Sequence, residues 1–344
     1  MNRRRVLKSG LAFGAGILFL RGAQAQNGTL NIYSARHYNT DEALYGNFAD
    51  LSGVRINRID AEPDPLVERL KAEGDRSPCD VFLTTDAGRI ERARQLGLLQ
   101  PVASEILAAQ VPAHLRDPDN TWFGFSKRAR VIVYSREKVA AADAPKSYED
   151  LADPKWKGKL LVRSSGHIYN QSLVGSLLAA LGPDKTEAWA RGVAANLARP
   201  PRGGDTDQIK GVAAGEAEIA VTNTYYLANL MRSKKAEDRE VAAKVAVVFP
   251  DQAGRGTHVN ISGGAIARHA PNRVAAVRFL EYLVSPAAQK YFAEGNSEYP
   301  VVAGVGLSPE LQALGSFKED PLNARVFATN NAEALKIMDR AGWK

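Results

Sequence analysis

Tyrosines stand at three places where an apolar strand-like run gives way to a helix-like one, and that placement is the chain's clearest chemical signal. In "NTYYLANL", Tyr225 and Tyr226 follow Thr222-Asn223-Thr224, residues suited to a helix N-cap. Neighbours on a helix diverge by about 100°, so the two rings cannot share one buried stripe. Their long side chains can still bring both hydroxyls to a point beyond the helix start. "SARHYN" places Arg36, His37 and Tyr38 after a first strand, and "SSGHIYN" places His167 and Tyr169 before an apolar helix that Ser164 or Ser165 can cap. Ordinary roles exist for each: loop and cap positions for His37 and Tyr38, local packing for Tyr169.

A phenol ionises near pH 10, so its anion at neutral pH needs strong positive charge nearby. Hard cations favour oxygen ligands. Calcium and magnesium take carboxylates and carbonyls, zinc takes His and Cys, and three or four phenolates best match ferric iron. Four phenolates on Fe(III) leave one net negative charge, for which Arg36, Arg130 and Arg202 are candidate counter-charges; solvated surface positions are the alternative for each. Enzyme signatures are thin: there is no Gly-x-Ser-x-Gly elbow, phosphate-binding glycine loop or HExxH, and the five histidines are scattered.

The elements that must position these groups alternate. "TLNIYSA", "VRINRI" and "DVFLTT" read as strands separated by helices over 40–51, 64–73 and 86–97. This predicts an α/β fold with mainly parallel sheets covered by helices and ligand loops at strand C-termini. "RARVIVYS" leads into a second set: helices over 168–181 and 184–197, the strand "AEIAVTN", and a helix from Tyr225. "KVAVVFPDQAGRGTHVNISGGAIA" then reads as strand, loop and strand, returning to the first set, and helices over 271–294 and 308–344 finish the chain. The expected organisation is a first lobe of 26–127 plus about 256–305, a second of about 128–255, and C-terminal helices over 306–344 packed on both, with a cleft between the lobes.

Residues 1–25 have the parts of an export signal: Arg3, Arg4, Arg5 and Lys8, an apolar stretch from Leu11 to Leu20, and Ala23-Gln24-Ala25 as a cleavage site. The adjacent arginines resemble a twin-arginine signal. That segment holds five of the basic residues behind the +7 formal charge and no acid, which leaves +2 on the remaining 319 of 344 residues. Composition then gives no motive for nucleic-acid binding or a basic membrane patch. A single cysteine, Cys79, rules out an internal disulfide and reads as a small buried residue before a strand.

At these residues the chain resembles the periplasmic ferric-iron-binding proteins that serve ABC transporters, in the type II periplasmic binding fold. The resemblance spans nearly the whole chain after the signal, through "LNIYSARHYNTDEALYGNFA", "ERLKAEGDRSPCDVFLTTDAGR", "KRARVIVYSREKV", "SYEDLADPKWKGKLLVRSS", "GGDTDQIKGVAAGEAEIAVTNTYYL", "GRGTHVNISGGAIA" and "NSEYPVV". It implies iron ligation by Tyr38, Tyr169, Tyr225 and Tyr226, with His37 beside them, and delivery by a periplasmic monomer to an inner-membrane permease. One branch of the family uses a carboxylate after "DVF" together with a synergistic anion. Thr85 stands there in this chain, followed by Asp86, so the resemblance implies the all-phenolate branch without an anion. Two other readings compete: a solute-binding protein of the same fold for an organic cation or oxyanion, and a secreted hydrolase with His37 or His167 as base.

Overall fold

The computed structural model describes residues 28–36, 38 and 40–344; the proposed signal, 1–25, and His37 lie outside the described residues. The strands are β1 (Thr29–Ser34), β2 (Arg55–Asp60), β3 (Val81–Thr85), β4 (Leu99–Gln100), β5 (Phe123–Ser135), β6 (Leu160–Leu161), β7 (Ile219–Asn223), β8 (Val245–Val248), β9 (Val259–Ala267) and β10 (Tyr299–Pro300). Between the first strands run α1 (Asp41–Ser52), α2 (Pro63–Glu73), α3 (Ala87–Gln95) and α4 (Glu105–Gln110). The middle of the chain adds α5 (Ile168–Leu181), α6 (Pro183–Ala195), α7 (Asp205–Ala213), α8 (Thr224–Met231) and α9 (Ala236–Ala243). Last come α10 (Arg273–Leu283), α11 (Pro286–Lys290), α12 (Pro309–Ala313), α13 (Ala324–Thr329) and α14 (Asn331–Ala341).

The sheet is mixed, with order β2-β1-β3-β9-β5-β7-β6. Pairing is parallel where helices connect successive strands, as for β1 with β2 and β3, and again for β6 with β7. It turns antiparallel at β5 and β9 because the chain passes outward along one and back along the other. Residues Phe123–Ala129 of β5 pair with β9, whereas Arg130–Tyr134 pair with β7 and Ile132–Ser135 with β8. One strand therefore belongs to both halves of the sheet. Close packing at this crossing excludes a side chain at Gly264, where an added Cβ would lie 2.6 Å from Leu83 Cδ2.

Two apolar cores form, and the first also takes in Ile209, Ala220 and Leu227 of the half that holds β7. Leu30, Ile32, Val81, Phe82, Phe279 and Leu280 pack in the first, and Ile132, Leu160, Leu173, Trp189, Ile219 and Val221 in the second. α14 adds Ile337 and Met338 to the second core and packs on α5 and α6, while α13 touches both α3 and α5. The expected helix over 271–294 is interrupted: α10 ends at Leu283, Ser285 caps a new start at Pro286 by accepting from the Ala288 amide (3.3 Å), and a π-helical turn covers Tyr291–Gly295. Cys79 is fully buried, and burial pushes its thiol well above the ordinary range, so it is inert packing. Among the described residues no helix is long and apolar enough to cross a membrane.

Candidate metal centre

The short β1–α1 connection, the start of α5 and the start of α8 converge on one point, bringing together Tyr38, Tyr169, Tyr225 and Tyr226. The Tyr169 and Tyr225 hydroxyl oxygens are 3.2 Å apart. Tyr225 and Tyr226 stack with ring centroids at 4.1 Å, and Tyr38 meets Tyr225 edge-on at 6.4 Å. Tyr169 and Tyr225 are buried; Tyr38 and Tyr226 are partly exposed. Asn223, in extended backbone, turns the chain from β7 into α8, whose first turn carries both tyrosines. Their side-chain bonds diverge as helical neighbours do, and the length of the side chains lets the rings meet beyond the helix start.

The local capping differs from expectation. Asn223 precedes α8 but makes no side-chain cap; its Oδ1 accepts from Arg130 (3.3 Å) and its amide donates to Asp205 (2.8 Å). At α5 neither Ser164 nor Ser165 is the cap. His167 Nδ1 accepts from the Tyr169 amide at 3.2 Å, and its ring lies 4.5 Å from the Tyr169 ring. Burial, then Arg163, Arg130 and Arg89, hold the imidazole down at about 2. A cap that resists protonation this strongly is poorly suited to general-base catalysis at neutral pH.

Positive charge surrounds the phenols. The guanidinium carbons of Arg163, Arg128 and Arg130 lie 5.6, 5.7 and 6.0 Å from the Tyr169 ring centroid, and that of Arg36 lies 4.9 Å from Tyr38. Arg36 pairs with Asp41 (2.7 Å) and Arg130 with Asp205 (2.6 Å). Arg128, fully buried, gives Nη1 to Glu298 (2.9 Å) and Ser262 (2.6 Å), but its Nε and Nη2 have no hydrogen-bond partner among the described residues. Unspent donors on a buried cation cost stability, and their place beside four phenols suits them to offset developing phenolate charge. Arg202 is not part of this group: it is three-quarters exposed and pairs with Glu216 at 3.4 Å, because the 199–204 loop carries it to the surface.

On the other side, Tyr38 donates to Glu298 at 3.2 Å. Burial pushes the Glu298 carboxyl up, but Arg36, Arg128 and the hydroxyls of Ser126 and Ser262 outweigh it and hold the group below its ordinary range. Burial, followed by the Glu298 charge, pushes the Tyr38 hydroxyl well above an ordinary phenol, with Arg128 and Arg36 opposing. Tyr225 is raised by burial and the neighbouring phenols, and Tyr226 reaches about 12 by burial and Tyr169. These three phenols hold their protons at neutral pH.

Glu298, Arg128 and Arg163 escape the sequence reading. Arg128 carried a usable signal, since it sits two residues before Arg130 in one strand and so shares its face. Glu298 carried none; only pairing of β10 with Lys127 and Ser126 of β5 brings its neighbourhood to the site. Asp86 is engaged elsewhere: its carboxylate accepts from the Gly88 amide (2.7 Å), Asn260 (2.8 Å) and Ser172 (3.0 Å). Among the described residues there is no cluster of three or more His, Cys, Asp or Glu that could hold a metal.

A sheet in two halves sharing a crossing strand, with polar side chains from both halves meeting at strand ends, defines a two-lobed binding protein. The chain belongs to the bacterial extracellular solute-binding proteins, whose family pattern matches residues 76–318. It is similar to iron uptake protein A1 of Synechocystis sp., at 50% identity over 315 residues, 92% of this chain and 87% of that protein. Among solved structures it is similar to a Trichodesmium protein (IdiA, FutA) in complex with iron and citrate ligands, with TM-score 0.90 and 56% identity over 92% of this chain and 100% of that one. It is also similar to the ferric binding protein from Campylobacter jejuni, with TM-score 0.87 and 43% identity over 92% of this chain and 100% of that chain.

Proposed function

We propose that this chain binds ferric iron in the periplasm through Tyr38, Tyr169, Tyr225 and Tyr226, with His37 beside Tyr38, and delivers it as a monomer to the permease of an ABC importer. The observation that carries this reading is the convergence of four phenols, two with oxygens 3.2 Å apart, against buried arginines with unspent donors. Relatives named for iron uptake and ferric binding support it, and none of those reported is an enzyme. In this reading 1–25 is a cleaved export signal of twin-arginine type. The lobes divide near Ala129/Arg130 on β5, where pairing passes from β9 to β7.

Iron meets Tyr169, Tyr225 and Tyr226 first, and each phenol releases its proton as the ion arrives. Closure of the lobes then adds Tyr38 and excludes water. Arg36, Arg128 and Arg130 offset the negative charge that remains. The engagement of Asp86 by Gly88, Asn260 and Ser172 supports ligation without a protein carboxylate, and the four phenolates leave no charge for a synergistic anion to supply. The Trichodesmium structure with iron and citrate makes citrate the anion to test.

The deciding experiment is a visible-absorption titration of the protein lacking residues 1–25 with a weakly chelated ferric salt, with and without citrate. A phenolate-to-iron band saturating at one iron per chain in both series is expected. Absence of a band in folded protein would overturn the site, and a band only with citrate would overturn the anion-free reading.

A further inference from the structure

Away from the phenols, the two halves of the molecule also meet at the end of α8. Arg232, just past the C-terminus of α8, donates Nη1 to the Glu294 carbonyl (2.5 Å) and Nη2 to the Gly295 carbonyl. Those carbonyls end the α11–π-helical segment, where backbone acceptors lack intrahelical partners and a cation is favoured. One turn earlier on α8, Asn229 Oδ1 accepts from Ser297 Oγ (3.4 Å), and Ser297 takes a left-handed φ of 54°.

The contacted segment leads straight to the Tyr38 side of the site. Asn296 pairs with Thr40 and donates to Asp41 (3.3 Å), Asp41 holds Arg36, and Arg36 lies over Tyr38. Glu298, two residues on, accepts from Tyr38 itself. The helix whose first turn carries Tyr225 and Tyr226 thus ends by gripping the turn that braces Tyr38. A π-helical turn inside a helix commonly marks a functional position.

We infer that Arg232 is a closure latch: a positioning residue that touches neither iron nor its ligands but holds the α8 side against the Tyr38 side and so slows iron release. This rests on the iron reading above. A contact that must break before the halves part lowers the rate of opening and leaves the first encounter of iron with the α5 and α8 phenols unchanged.

The test compares wild type with Arg232→Ala and Asn229→Ala by stopped-flow decay of the phenolate band against excess EDTA, alongside the rate of band formation. Arg232→Ala is expected to release iron about tenfold faster, as for loss of charged hydrogen bonds, with the band maximum and formation rate unchanged. Arg232→Lys, which keeps one donor, should fall between. Equal release rates in all variants would overturn the latch, as would a slower formation rate or a shifted band, which would mean that the ligands themselves had moved. Absence of a band in wild type would instead remove the iron reading. Arg232 is exposed, and an unchanged Tm of the iron-free variants will confirm that folding is intact.

Discussion

The two sides of the centre are built differently. Tyr169, Tyr225 and Tyr226 rise from the first turns of α5 and α8, on a packed half-sheet, with arginines from β5 behind them. Tyr38 stands on the short connection between β1 and α1, braced by Glu298 and Arg36. In the proposed reading one side gathers three donors before any closure, and the other brings a single donor that depends on its braces. A binding protein needs this asymmetry, since a donor set completed by one half alone would leave closure nothing to contribute.

Removing the preassembled side should have the largest effect. Tyr225→Phe with Tyr226→Phe is expected to abolish the band and tight iron binding while leaving the Tm of the iron-free protein nearly unchanged, since only two hydroxyls are lost; a retained band at one iron per chain would refute the site. Tyr38→Phe should cost less, on the order of a hundredfold in affinity, measured by competition with a chelator. If both variants lose equal affinity, the asymmetry is wrong.

The next effect is on pH. Raised phenols must lose protons to bind iron, so affinity should rise with pH through the neutral range and iron should leave on acidification. Glu298→Gln removes the charge that raises Tyr38 and frees Arg36 and Arg128 to favour its anion. The midpoint of acid release should therefore move down by about half a pH unit or more, followed by absorbance during a pH titration. An upward move would show that Glu298 assists ligation instead.

Smaller still is an effect on stability rather than on ligation. His258 is buried, and burial, then Arg130 and Arg255, hold it down at about 3. Below about pH 6.5 the unfolded chain takes a proton that the folded one refuses, so stability falls as pH drops from 6.5 toward 3. His258→Gln should lose a few degrees less in Tm than wild type between pH 7 and 4.5; parallel losses would assign the acid sensitivity to other groups. Arg202→Ala, on the exposed loop, should change iron affinity less than about twofold.

Much of this was legible in the chain. Alternating strand and helix patterns locate β1 to β3, α5, β7 and α8, and the strand-end position of each tyrosine pair or singlet needs no tertiary information, because periodicity and breaker residues act locally. Reading the phenols as donors for a hard trivalent cation rests on their intrinsic acidity. Capping was not legible: His167 displaced the serines, and the Asn223 side-chain oxygen was drawn off by Arg130, because a cap competes with partners that arrive only on folding. Arg202 misled for the same reason, since charge is visible in sequence and direction is not.

By itself, then, the sequence determined most of the strands and helices around the site, that tyrosines stand at three junctions between elements, and that the chain carries the family's pattern; these follow from local propensity and side-chain chemistry. The tertiary structure alone decided that β5 would serve both halves, that Glu298 would reach Tyr38 across 260 residues, and that Arg128 rather than Arg202 would lie beside the phenols. Those outcomes depend on long-range strand pairing and burial, which fix where a side chain points only when the whole sheet has closed around it.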